Sequence, residues 1–400
     1  MSLLNEVKKL ASQYAEDTII IRRHIHANPE LSFKEFETAK FVAAELRKLG
    51  IEPKEGVAGT GLTALIEGKN PTSRTVALRG DMDALPITEL SDIPYKSKNV
   101  GVMHACGHDV HTSCLLGAAR ILVQLKDQFE GTVKLVFQPG EEKNPGGASL
   151  MIKDGALENP KPNSMFGQHV MPYIPTGKVG FREGQYMASA DEIYLTVKGK
   201  GGHAALPDKV IDPILIASHI IVALQQVVSR NADPKKPTVL SFGQIEGGHA
   251  QNIIPDEVKI GGTFRALDEE WRFEAHKKIR SIAEGLAEAM GGSCDVLVDV
   301  GYPFLTNDPT TTQSARAAAT SYLGAENIVD LDLWMGAEDF AYYSHVVPSC
   351  FYRLGTGNPD KGTTLGVHTP KFNIDEDAIE LGIGLMAWIA LNQLTTAHKA

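Results

Sequence analysis

The sequence predicts an α/β protein: a mostly parallel sheet with helices on both faces, plus an inserted α+β domain of ferredoxin-like (βαββαβ) order. Three observations lead there. At 400 residues the chain is too long for one ordinary core, so two domains or more are expected. Over the first ~180 residues, short apolar runs alternate with helical patterns, the rhythm of a parallel sheet with helical crossovers. From Asp191 the rhythm changes to strand, helix, two strands, helix, strand, which is the split βαβ order.

The elements follow in chain order. "EFETAKFVAAELRKLG" (35–50) has helical spacing and stops at Gly50. "GLTALIEG", "RTVALRGDMDAL" and "GTVKLVFQPGEE" read as apolar strands, each running into a polar loop marked by Gly or Pro. "SCLLGAARILVQLKDQ" (113–128) is a helix between the last two. "DEIYLTVKGK" alternates as a strand and "DPILIASHIIVALQQVVSR" is a long amphipathic helix. Strands "PTVLSFGQIEGG" and "DEVKIGGTFRAL", a helix ending at the Gly291–Gly292 pair and the strand "CDVLVDV" complete the insertion. The expected division is residues 1–184 with 298–400 as a metal-binding catalytic domain, and 185–297 as the insertion.

Composition narrows the function. A net charge of −10 and no Lys/Arg run argue against nucleic acid or an anionic membrane as partner. Four cysteines (Cys106, Cys114, Cys294, Cys350) make no disulfide framework. The N-terminus lacks the apolar core of a signal peptide, and "LGIGLMAWIAL" (381–391) is too short to span a bilayer and reads as a buried helix. A cytoplasmic protein with a reduced Cys106 is expected.

The chemistry gathers at strand ends. "ALRGDMDALP" carries Asp81 and Asp83, "MHACGHD" Cys106 and His108, "LVFQPGEE" Glu141 and Glu142, and "SMFGQHVMP" His169; His368 follows far downstream, before the last helix. In open α/β sheets, sites form outside the carboxyl ends of the strands. Thiolate and imidazole are the best side-chain ligands for zinc-like metals. Cys106, His108, Glu142, His169 and His368 supply six positions if the thiolate bridges. A bridging water completes the eight positions of two four-coordinate ions. Only one of Glu141 and Glu142 need face a metal, leaving the other as a base. Cys106 and His108, at i and i+2, share a side if the backbone is extended, with Gly107 allowing an unusual turn.

Taken singly, each residue has a blander reading: a buried thiol, a solvated Glu pair, structural histidines. Clustering reverses this for Cys106, but His104 and His111 stay structural. His203 alone is a turn-capping residue, and Arg265 a strand residue with a surface ion pair. "MGAEDF" (335–340) suits a helix N-terminus, with Glu338 expected near the site.

"RGDMDALP", "MHACGHDVHT", "FQPGEE", "QHVMP", "GKGGHAALP", "QNIIPD", "GTFRALD", "MGAEDFA" and "HTPKFNIDE" together resemble the amidohydrolase branch of the dinuclear metallopeptidases. That branch holds N-acyl-amino-acid amidohydrolases, hippurate hydrolase and indole-acetyl-amino-acid hydrolases, with aminoacylases and zinc carboxypeptidases as broader relatives. The resemblance covers nearly the whole chain and implies a specific set of roles. Cys106, His108, Glu142, His169 and His368 would bind two divalent ions (zinc, manganese, cobalt or nickel). Glu141 would be the general base for a water activated by the two metals, and Asp83 would sit behind the ligands. His203 would polarise the scissile carbonyl, within one chain or across two, while Asn252 and Arg265 would hold the substrate carboxylate. The insertion would be a lid that also dimerises the protein, giving a homodimer or a dimer-based tetramer. The implied reaction is cleavage of an N-acyl-amino acid, or of a short peptide by a carboxypeptidase or dipeptidase with the same site. Two rivals remain: Cys106 as nucleophile with a histidine base, and a non-catalytic metal-binding dimer.

Overall fold

The computed structural model describes residues 2–395. The chain divides into two compact units. The first comprises Met1–Tyr186, Thr306–Leu333 and Asp339–Ala400; the second comprises Met187–Leu305 and Trp334–Glu338. The strand Ser293–Val300 runs across the expected 297/298 division, because its pairing with Asp191–Lys198 continues to Val300. The expected division also takes in residues 1 and 396–400, which lie outside the described ones.

The first unit is built on an eight-stranded sheet. Its middle four strands, Thr132–Gln138, Thr75–Asp81, Ser164–Pro175 and Ser349–Gly357, run parallel. Flanking strands add antiparallel pairs at both sides. All residues of Thr75–Asp81, Thr132–Gln138 and Ser349–Gly357 are buried, as strands covered on both faces must be. The helices Leu3–Ala27, His108–Gln124 and Ala378–Thr395 contribute most of the helical part of this core. The last of them has the length and mean hydropathy of a membrane span, but it is 78% buried and serves as a core helix.

Helix starts follow local chemistry. Asp308 accepts the Thr311 N–H at 2.7 Å ahead of the helix Pro309–Leu323, whose proline sits where no N–H is needed. Asp212 and Asp268 cap the helices Pro213–Gln226 and Glu269–Ala289 of the second unit in the same way. These two helices pack on a four-stranded sheet around their own core, including Ile193, Ile220, Phe264 and Ile279. The sheet order is Thr238–Glu246, Glu257–Ala266, Asp191–Lys198, Ser293–Val300, antiparallel throughout. This is the topology of the expected βαββαβ series.

Candidate metal centre

Four chain segments of the first unit bring the candidate donors together. Cys106 and His108 flank Gly107, and here the structure corrects the expectation of extended backbone. His108 opens the helix His108–Gln124, and Gly107 precedes it in the left-handed region, at φ +87°. A Cβ at Gly107 would also meet the Val170 side chain at 2.5 Å, so only glycine fits the bend. Glu141 and Glu142 occupy the turn after Thr132–Gln138. His169 was expected past a strand end but lies inside the twelve-residue strand Ser164–Pro175, opposite Arg353 of the neighbouring strand. His368 comes from the loop before the last helix.

Their ligand atoms fall into two triads that share Cys106. Cys106, His108 and His169 form one, Cys106, Glu142 and His368 the other, and in each the donor atoms lie within 4.8 Å of one another. The Cys106 Sγ stands 3.5 Å from His169 Nε2 and 3.2 Å from His368 Nε2. His368 Nε2 is 3.1 Å from Glu142 Oε1, and His108 Nε2 is 3.9 Å from the same oxygen. Glu141, with a carboxylate oxygen 3.9 Å from His108 Nε2, belongs to neither triad, although it groups with His108 and Glu142 at the same spacing.

The tautomers point the free nitrogens inward. The His169 Nδ1–H donates to the Val170 carbonyl at 2.8 Å, leaving Nε2 as a lone-pair donor. The His108 Nδ1 faces Asp83 Oδ1 at 3.1 Å, and its Nε2 is buried with no hydrogen bond. Unsatisfied buried atoms are uncommon, and a bare imidazole nitrogen facing the carboxylates of Asp81, Glu141 and Glu142 at 3.6–3.9 Å fits a bound cation.

The electrostatics agree. Burial pushes the Cys106 thiol well above its ordinary pKa, and Glu142, Glu141 and Asp81 push it further. Burial pulls His108 down, but Asp81, Asp83 and Glu142 overcome it and raise its pKa to about 10. Burial, with Arg353 and His111 nearby, keeps His169 well below the usual imidazole value. Carboxylates thus surround two groups that hold protons, and a divalent cation is the charge that displaces both protons. A nucleophilic cysteine needs the opposite surroundings, a depressed pKa beside a cation.

Other buried groups hold the donors in place. Asp83 accepts from Ser32 Oγ at 2.6 Å and from the Glu142 N–H at 3.0 Å as well as facing His108, so it stands behind both triads. His111 accepts the Val170 N–H on Nε2, so its Nδ1–H donates to Asp81; the ring pins the His169 strand to the His108 helix. His104 is buried, its pKa lowered to about 4 by burial, with neither ring nitrogen bonded and no place in either triad. Asp339 gives the "MGAEDF" motif an unexpected role. Its carboxylate accepts from Arg79, Gln138 and the Ala148 N–H, and its backbone N–H donates to Glu141 Oε1 at 3.4 Å. A buried arginine in the strand "TVALRGD", paired with Asp81 and needing further acceptors, was the available signal, since a buried charge demands partners.

The remaining predicted residues belong to the second unit. His203 and Asn252 are brought together on a small ribbon: Ile253 pairs with His203, and the Ala204 N–H donates to the Asn252 carbonyl at 3.0 Å. His203 is exposed, and its Nδ1 accepts the Ala205 N–H at 3.1 Å, which leaves the proton on Nε2. Arg265 lies on Glu257–Ala266, where its Nε donates to Thr263 Oγ1 and burial lowers its pKa.

A thiol, imidazoles and carboxylates converging at the C-terminal side of a parallel sheet define a metal-dependent α/β hydrolase. The chain belongs to peptidase family M20/M25/M40, whose profile matches residues 77–392. It is 42% identical to thermostable carboxypeptidase 2 of Saccharolobus solfataricus over 97% of each chain. It is also 42% identical to the Arabidopsis thaliana IAA-amino acid hydrolase ILR1-like 4, over 94% of this chain and 85% of that one. Among solved structures, the Bacillus subtilis YXEP protein, a dinuclear metal binding peptidase from the M20 family, is 34% identical. Its TM-score is 0.82, with 96% of this chain and 99% of that one covered.

Proposed function

We propose that this protein is a two-metal amidohydrolase that cleaves the amide bond of N-acyl-amino acids. The observation that carries the reading is the pair of triads sharing Cys106, with Glu141 beside them and outside both. Cys106, His108, Glu142, His169 and His368 are the residues that would hold the two divalent ions. Thiolate and imidazole lean away from magnesium and leave zinc, manganese, cobalt and nickel. When bound, the ions supply Lewis-acid activation of a water and positive charge opposite the oxyanion. Glu141 takes the proton of the attacking water as its oxygen bonds to the acyl carbon. It returns that proton to the nitrogen as the C–N bond breaks, so the products are a carboxylic acid and a free amine. Asp83 keeps His108 turned with Nε2 inward.

In the same proposal, His203, of this chain or of a second copy, donates its Nε2–H to the carbonyl oxygen, and Asn252 and Arg265 hold the substrate carboxylate. The supporting observations are the His203 tautomer, its pairing beside Asn252 and the half-buried guanidinium of Arg265. The names of the relatives divide between acyl-amino-acid and peptide substrates, and both classes share this chemistry.

The test is hydrolysis of N-acetyl- and N-benzoyl-amino acids alongside short peptides, with metal measured on the same sample. We expect turnover of acyl-amino acids, its loss on chelation and its return with a divalent ion. Turnover that survives complete metal removal would restore Cys106 as the nucleophile. Preference for peptides would make the protein a carboxypeptidase or dipeptidase.

We further propose that the second unit is a lid that forms a homodimer. Thr238–Glu246, one of the two edge strands of its sheet, has a strand neighbour on one side only among the described residues, and strand edges invite pairing. The helix Pro213–Gln226 exposes Leu215 and Val222, the latter at 73%. Sedimentation velocity should find a dimer that becomes monomeric in Leu215→Glu/Val222→Glu. A wild-type monomer at tens of micromolar, or a double variant that stays dimeric, would sink the assignment.

A further inference from the structure

His368 is the donor that sequence separation makes hardest to place, since its loop lies more than 250 residues beyond Cys106. It also sits at φ +62°, a conformation few non-glycine residues hold unless the surroundings impose it. Its backbone N–H donates to the Ala105 carbonyl at 2.7 Å, so the loop is docked directly on the Cys106 segment. Something must hold that docking.

The N-terminal helix Leu3–Ala27 supplies it. Arg22 is completely buried, although it is charged and has no place in the chemistry. Its Nε donates to Asp109 Oδ2 at 2.7 Å, one residue after His108. Its two other nitrogens reach the loop after His368, Nη1 to Glu376 Oε1 at 3.2 Å and Nη2 to Asn373 Oδ1 at 3.0 Å. His26, one turn on, bonds the same Asp109 oxygen at 2.8 Å and Glu89 Oε1 at 3.2 Å. The segment around Glu89 joins the same knot. The Leu90 N–H donates to the Pro370 carbonyl at 2.7 Å, Asn373 Nδ2 donates to Tyr95 Oη at 3.2 Å, and the Arg22 guanidinium lies over the Tyr95 ring.

We propose that Arg22 is a positioning residue. Through Asp109 on one side and Asn373 and Glu376 on the other, it locks the His368 loop onto the Cys106–His108 segment, so that the Cys106–Glu142–His368 triad can hold its metal. This rests on the two-metal reading above. Guanidinium is suited to the task because its rigid fork serves several acceptors at once; an ammonium neutralises Asp109 but cannot span all three. The Cys106–His108–His169 triad has further ties of its own, through Asp83, His111 and the sheet.

The test uses Arg22→Lys, which keeps the buried charge, and Asn373→Ala, which removes one arm on the loop and leaves Arg22–Asp109 intact. Both are compared with wild type by metal analysis after desalting and by calorimetric titration of zinc into the metal-free full-length protein. Altered supports behind metal ligands typically cost ~10–100-fold in affinity. We expect that loss for one ion only, with retained zinc falling from about two per chain toward about one. Hydrogen exchange over residues 366–377 should speed up in both variants. Two ions at wild-type affinity in both, or equal weakening of both ions, would overturn the assignment. A wild-type protein that binds no zinc would remove the two-metal reading and this inference together.

Discussion

Replacing Glu141 by glutamine should lower kcat about 10²–10⁴-fold, the usual worth of a positioned general acid–base, while the protein keeps its fold and both metal ions. The substitution is close to isosteric and removes little but the ability to carry a proton. The Asp339 N–H that donates to Glu141 Oε1 can donate equally to the glutamine carbonyl. Glu141 is 6% exposed, so bulk solvent does not replace its lost basicity. Metal analysis on the assayed sample separates the two roles open to Glu141. If an ion is lost with the activity, Glu141 is a ligand, a role its proximity to His108 and Glu142 permits. If turnover stays within tenfold of wild type with both ions in place, the base is another group.

Much of this centre was legible before any coordinates. A thiol and an imidazole two residues apart, and adjacent glutamates after an apolar strand, stand out as chemistry because nothing in packing calls for them. His169 and His368 do not stand out, since an isolated histidine has no local pattern to distinguish a ligand from a structural ring; the family resemblance alone raised them. Backbone conformation was less legible. His169 lies within a strand because pairing with Ser349–Gly357 extends it, and its partner Arg353 is 184 residues away (353 − 169). His108 begins a helix because Gly107 turns left-handed, which the sequence permits and tertiary packing on Val170 selects. The division into triads was not legible at all, because it depends on distances between segments. The same holds for the buried charges: Arg22, Arg79 and Asp339 announce a need for partners without naming them.

The second unit carries the other large effect. Asp191→Ala should destabilise it by ~3–5 kcal/mol, the cost of breaking a buried ion pair and leaving one charge behind. Asp191 is 1% exposed and its two oxygens serve four donors. Arg272 binds both, His276 Nε2 lies 2.8 Å from Oδ2, and the Gly301 N–H donates to Oδ1 at 3.1 Å. The alanine variant leaves Arg272, which stays charged at any working pH, with only Glu269 and the Gly301 carbonyl as partners. It also removes the acceptor of the Gly301 N–H, which weakens the link between the helix Glu269–Ala289 and the end of the last strand. Hydrogen exchange at intermediate urea should show Asp191–Lys198 and Ser293–Val300 opening ahead of the first unit's sheet. The pH dependence has a definite sign. Burial alone would raise the Asp191 pKa, but Arg272 and His276 hold it below the ordinary value. The unfolded chain therefore takes up the proton first as pH falls. The stabilisation is complete above the unfolded value of ~3.9 and disappears as pH drops through the lower, folded value. Wild type and variant should thus differ by a constant amount from pH 8 to pH 6 and converge below about pH 4. A gap that stays unchanged into strong acid would mean that Asp191 contributes packing and not charge.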